Sequence, residues 1–109
     1  MIHMLLFVGA LAAQQPAPLH TPLDRATTAG RIFVDCLVDR AGGVTAGRAT
    51  PRVAVAVARR QCSREEQGLD DVHRSWNASQ GRGRRGAGRA EIRRLMNEAV
   101  ARVTAARRG

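Results

Sequence analysis

Apolar residues recur at three- and four-residue steps in two long stretches of the chain, with shorter segments of mixed pattern between them. In the first stretch Ala26, Ala29, Gly30, Phe33, Cys36, Leu37 and Ala41 share one face of a helical wheel. Ile32 lies on the flank of that face, and Arg31, Asp35 and Asp39 lie opposite. Thr21, Pro22 and Asp24 form a helix start: a capping hydroxyl, a proline suited to the first turn, and a carboxylate near the positive end of the dipole. Gly42-Gly43 supplies the stop. Ile, Phe and Val cluster over residues 32–38, which also suits a strand, but strict polar–apolar alternation is absent and the pattern predicts a helix.

The second long stretch is the clearest. Ile92, Leu95, Met96, Ala99, Val100 and Val103 follow helical spacing over residues 89–108, and Gly109 ends the run. Glu98 and Arg102 stand four residues apart in the favourable order, and Arg107 and Arg108 lie at the negative end of the dipole. Such a stripe must bury against something: the preceding helices, a second copy of itself, or a membrane surface.

Between the two, the pattern is ambiguous. Thr50-Pro51 repeats the helix-start device and opens R-V-A-V-A-V-A-R-R-Q-C over residues 52–62. Valine at every second position suits a strand, while the proline start and intervening alanines suit a helix. A helix would put Val55, Ala58, Cys62 and Leu69 on one face and Val53 and Val57 on another, a nearly all-apolar first half that must be sandwiched between neighbours. Ser63-Arg64-Glu65-Glu66 matches a capping box that would restart or bend the helix after Cys62. Residues 68–88, ending in Q-G-R-G-R-R-G-A-G, read as a flexible linker, because ordering repeated glycines is entropically expensive. Asn77-Ala78-Ser79 within it also matches a glycosylation sequon.

The N-terminus has a different character. Residues 1–13, MIHMLLFVGALAA, form a short apolar run closing on the small-residue pattern Ala10-Leu11-Ala12, as a secretory signal peptide does. The run lacks a preceding Lys or Arg, and it is shorter than the roughly 20 residues a membrane span needs. Residues 14–20 follow as an extended N-terminus. Downstream of Ala13, Leu, Ile, Val and Phe make up only about 18% of the residues, on the disordered side of the compositional boundary for a strongly charged chain. A compact fold of this composition needs reinforcement.

Cys36 and Cys62 can supply it. They are the only cysteines, and an even count in a small exported protein points to one disulfide. Closing a loop of about 26 residues is worth roughly 3.5 kcal/mol in the chain-entropy model. The C-x-x-C spacing of a redox pair is absent, and with both cysteines in a disulfide only His20 and His73 remain downstream of the leader, two of the roughly four N or S ligands a metal site needs.

Charge is the remaining feature. The 109 residues carry a net charge of +9, and all 18 cations are arginine. Arg82, Arg84, Arg85, Arg89, Arg93 and Arg94, in the glycine-rich run and the start of the last helix, are candidate polyanion ligands, since each guanidinium can pair bidentately with phosphate. Anionic envelope lipid would suit them. Nucleic acid is disfavoured by the export signal and by Trp76 standing alone without further stacking aromatics. Arginine without lysine, amid abundant Ala and Gly, is equally what a GC-rich genome produces. No nucleophile elbow, zinc-protease helix, phosphate loop or dinucleotide loop in its proper context occurs, so neither catalysis nor a cofactor is expected.

The order of leader, I-F-V-D-C-L-V-D-R (residues 32–40), Thr-Pro helix start and A-R-R-Q-C-S (residues 58–63) resembles small exported bacterial proteins with a cysteine-stapled helical hairpin. The resemblance covers residues 21–69 and carries no established activity. The sequence thus predicts a mainly α protein of the periplasm or the extracellular medium. Its parts are a signal peptide (1–13), an extended segment (14–20), a disulfide-linked hairpin (21–69), a disordered basic linker (70–88) and an amphipathic helix (89–108). The expected role is non-enzymatic: an interaction or structural protein of the cell envelope, or a binder of polyanions or anionic membranes, with self-association through the last helix a further option.

Overall fold

A computed structural model describes residues 21–44 and 48–109; the leader of residues 1–13 and the extended segment 14–20 lie outside the described residues. The described chain is helical, in the order α1 (Pro22–Val44), α2 (Pro51–Arg59), a 3-10 turn (Arg60–Cys62), α3 (Ser63–Ser79) and α4 (Gly88–Arg108). Because α2 and α3 join through that turn, the architecture is an up–down–up set of three helices with the middle one bent.

Local chemistry sets the helix starts. Thr21 and Asp24 cap α1 reciprocally: the Asp24 N–H donates to Thr21 Oγ1 (3.1 Å) and the Thr21 N–H donates to Asp24 Oδ2 (3.3 Å). The hydroxyl of Thr50 accepts from the Val53 N–H at 3.2 Å, with Pro51 in the first turn of α2. The expected stop at Gly42-Gly43 is passed through, and α1 ends at Val44. Both glycines face open space, so continuing the helix costs only their backbone entropy.

Cys36 and Cys62 form a disulfide with 6.0 Å between their Cα atoms, linking α1 to the bend between α2 and α3. The capping box at Ser63 does not form: α3 begins at Ser63, with Cys62 before it giving no side-chain cap, and Glu66 turns back to Arg59. Arg59 Nε and Nη2 donate to the two Glu66 oxygens at 2.7 and 2.9 Å, so one fork-to-fork pair spans the bend.

The core is small and built for close approach. Phe33, Leu37 and Leu69 are fully buried, together with Val34, Val55 and Cys62 and the alanines 41, 54, 58 and 99. Each large apolar side chain contributes about 1.5–3 kcal/mol on burial. The alanines let α1, α2 and α4 approach closely, as does Gly30, where an added methyl would sit 3.4 Å from a Leu95 methyl. The α4 stripe is buried inside this chain: Leu95, Ala99 and Val103 join the core, with Ile92, Met96 and Val100 packed at its edge. An exposed ion pair, Arg102 Nη1 to Asp35 Oδ1 at 2.6 Å, ties α4 to α1 in place of the expected Glu98–Arg102 pair.

Two expectations need correction. The Val-Ala alternation of residues 53–58 is helical, and it is not sandwiched. Val55 points inward, while Val53 and Val57 remain 51% and 36% exposed. Ile32, 52% exposed, keeps the flanking position its sequence placement gives it. The linker expected over 70–88 is also much shorter, because α3 runs on to Ser79. Only residues 80–87 connect α3 to α4; Gly81 and Gly83 within the turn, and Gly88 at the first position of α4, lie in the left-handed region (φ 72°, 78° and 79°) that glycine adopts without strain.

That turn is held from α3. Asn77 Nδ2 donates to the Arg85 carbonyl at 2.7 Å, and the Ala87 N–H donates to Asp70 Oδ1 at 3.1 Å. Arg74 fixes the other Asp70 oxygen at 2.8 Å. Together these groups set where α4 begins, and with it the placement of the arginines on its first two turns.

Candidate functional site

The first two turns of α4 carry Arg89 and Arg93 four residues apart, hence on one face, with Ile92 and Met96 beside them. Antiparallel to this segment runs α2, which presents Arg52 and, two turns on, Arg59. The two helices enclose an open groove of about 580 Å³ lined by these four arginines with Gly88, Ile92, Met96 and Asn97. Its floor is apolar, and guanidinium groups stand on both walls.

The arginines differ in state. Arg59 is committed internally: besides its fork on Glu66, its Nη1 lies 3.8 Å from the Met96 sulfur. The hydrogen bonds to Glu66 raise its pKa further. Arg52, Arg89 and Arg93 are exposed and pair with no carboxylate among the described residues. The groove thus carries three uncompensated positive charges above two apolar side chains.

An adjoining depression of about 590 Å³ shares Arg59, Gly88 and Ile92 with the groove but adds Glu66 and Asp70. Glu66 there is paired with Arg59 and Asp70 with Arg74, while Arg60, also on its lining, pairs with no carboxylate among the described residues. The groove thus has three unpaired guanidinium groups on its lining against one in the depression.

The other candidate arginines are dispersed. Arg82, Arg84 and Arg85 are exposed on the 80–87 turn, and Arg84 borders a separate hollow with Asp71 and Arg74. Arg94 points away from the groove and pairs with Glu91, whose carboxyl is held below its ordinary range chiefly by that hydrogen bond. Of the six arginines singled out from the sequence, the structure brings together Arg89 and Arg93. It adds Arg52 and Arg59, whose seven-residue spacing puts them on one face only if residues 52–58 form a helix.

Asn77 has a structural use, since its amide nitrogen holds the 80–87 turn. Among the described residues no group of three His, Cys, Asp or Glu side chains is placed to hold a metal, and no helix is long and apolar enough to cross a membrane. The disulfide suggests a non-reducing compartment. The chain matches no family model, no curated protein and no solved structure.

Proposed function

We propose that this is an exported, non-enzymatic interaction protein of the periplasm or the extracellular medium, which binds phosphate-bearing polyanions through its arginine surface. The observation that carries the reading is the state of the cations: of 18 arginines, four stand in ion pairs among the described residues, on a scaffold stapled by a disulfide. Unpaired guanidinium groups on a rigid surface attract phosphate by charge and by bidentate geometry. The leader-like residues 1–13 support export, as does a disulfide that a reducing cytoplasm would not maintain.

The non-enzymatic part of the proposal rests on the sequence, which carries no nucleophile elbow, zinc-protease helix or phosphate loop in its proper context.

Two measurements test the proposal. The intact mass of the exported protein under non-reducing conditions should show loss of a leader near residue 13 and of about two mass units for the oxidised thiols. Co-sedimentation with phosphatidylglycerol-containing vesicles, but not with pure phosphatidylcholine, should weaken steeply as salt is raised. Equal binding to both lipids would overturn the polyanion reading.

A further inference from the structure

We infer that the α2–α4 groove is a headgroup site for an anionic phospholipid of the bilayer surface, with Arg52, Arg89 and Arg93 on the phosphate and Ile92 and Met96 against the first carbons of the acyl chain. The inference rests on the polyanion reading above and narrows it to one place and one chemical class.

Four observations favour this occupant. First, the groove concentrates charge: Arg52, Arg89 and Arg93 face one space and pair with no described carboxylate, whereas the neighbouring depression carries Arg60 as its one unpaired cation. A phosphodiester supplies the missing counter-charge and accepts several N–H donors at once. Second, the floor between the guanidiniums is apolar. Ile92 and Met96 sit at the rim of the core, half-buried, and bare inorganic phosphate would leave them facing water. An amphiphile covers both surfaces.

Third, the volume of about 580 Å³ lies within the range of sites that hold one small molecule. Fourth, nucleic acid lacks a stacking platform. Among the described residues there is no tyrosine, Phe33 is fully buried, and Trp76 is half-buried on α3, away from the groove.

Arg59 has a different part. Its fork to Glu66 and its approach to Met96 fix the wall of the groove, so it positions the floor and leaves the phosphate to the three exposed arginines.

The test compares three charge-matched variants of the full oxidised chain: R52Q/R89Q/R93Q in the groove, R82Q/R84Q/R85Q in the turn, and R25Q/R31Q/R40Q on α1. Each removes three exposed arginines that hold no ion pair among the described residues. Binding is read by sedimentation with phosphatidylglycerol/phosphatidylcholine vesicles. Pure phosphatidylcholine vesicles report any apolar partitioning of residues 1–13. Circular dichroism and thermal melting confirm that all three variants keep their helices.

The groove variant is expected to lose roughly a hundredfold in vesicle affinity, and the other two about fivefold or less. Added inorganic phosphate should compete weakly, and a soluble short-chain phosphatidylglycerol strongly. Equal losses in all three variants would show that net charge alone drives binding, and would overturn the groove while leaving the polyanion reading intact. A dominant loss in the turn variant would move the site to residues 80–87, with the same consequence. Inorganic phosphate competing as well as the short-chain lipid would overturn the lipid assignment. No binding by the unaltered chain would overturn this inference and the proposed function together.

Discussion

Two junctions hold this molecule's helices in register, and they do so by opposite means. At one, the Cys36–Cys62 bond ties α1 to the bend between α2 and α3, across 26 residues of chain. At the other, Asp70 and Asn77 on α3 grip the backbone of the 80–87 turn through hydrogen bonds, and so fix the start of α4. The first junction sits in the core, where Cys62 is fully buried and Phe33, Leu37 and Val55 belong to the same cluster. The second is exposed or half-buried, and there α3 and α4 pack on α1 rather than on one another. A covalent link therefore reinforces the region that already has packing, while directional polar contacts carry the region that has little.

Breaking the covalent junction should have the largest effect. Replacing both cysteines by serine removes the constraint on the unfolded chain, and about 3.5 kcal/mol of stability is expected to go with it. Urea denaturation of the double variant against the oxidised chain measures this. A loss below about 1 kcal/mol would mean that the alanine-lined core holds α1 to α2 without the bond. The groove would then owe its shape to packing alone.

The polar junction breaks through a residue that never touches a ligand. Gly86 approaches α3 so closely that a Cβ there would fall on the Asp70 carboxylate. Gly86→Ala must displace Asp70 from the Ala87 N–H or push the turn outward, leaving a half-buried donor unpaired at the start of α4. The expected cost is about 1–3 kcal/mol. Because Arg89 and Arg93 follow directly, vesicle binding should fall together with stability. Full stability with unchanged binding would show that the turn does not position the groove.

The contrast also explains what could be read in the sequence. The cysteine pair, the two Thr-Pro starts and the α4 stripe rest on residue types whose use is nearly fixed by chemistry, and each took the place expected of it. The second junction rests on Asp70 meeting Ala87, seventeen residues away, through a turn whose glycines alone suggest flexibility. No local pattern encodes that meeting. The outward valines eluded the pattern because β-branched side chains suggest burial, whereas a three-helix arrangement this small has no neighbour to cover the outer face of α2. The groove depended on the same point: Arg52 and Arg59 share a face only once the 52–58 segment is known to be helical.

The reach of α3 past Gly68 was hidden for a related reason. Its second half buries little, with Leu69 its one fully buried residue, and holds itself by surface pairs such as Asp70–Arg74 and Gln67–Asp71. Gly68 has open space where a side chain would go and no left-handed backbone requirement. Gly68→Ala should therefore stabilise the protein by about 0.5–1 kcal/mol, read as a raised urea midpoint. Were residues 68–79 a linker in solution, the substitution would change nothing, and the polar junction would lose the helix from which it is built.

The smallest effect expected is one of pH, and it separates the junctions cleanly because a disulfide does not titrate. The Asp70 carboxyl is held below its ordinary range, first by the hydrogen bond from Arg74 and also by the Ala87 N–H. A carboxyl with a lowered folded-state pKa contributes stability that is complete above the unfolded value of about 3.9 and is lost as pH falls through the lower folded value. Acidification below about pH 4 should thus loosen the α3–α4 junction while Cys36–Cys62 still holds α1. Hydrogen exchange of the Ala87 amide, followed downward from pH 5, should lose protection relative to the amides of Leu37 and Val55. Asp70→Asn should abolish that pH-dependent difference. If Ala87 and Leu37 lost protection in parallel, the two junctions would be one cooperative unit, and the polar contacts would add nothing separate to the covalent tie.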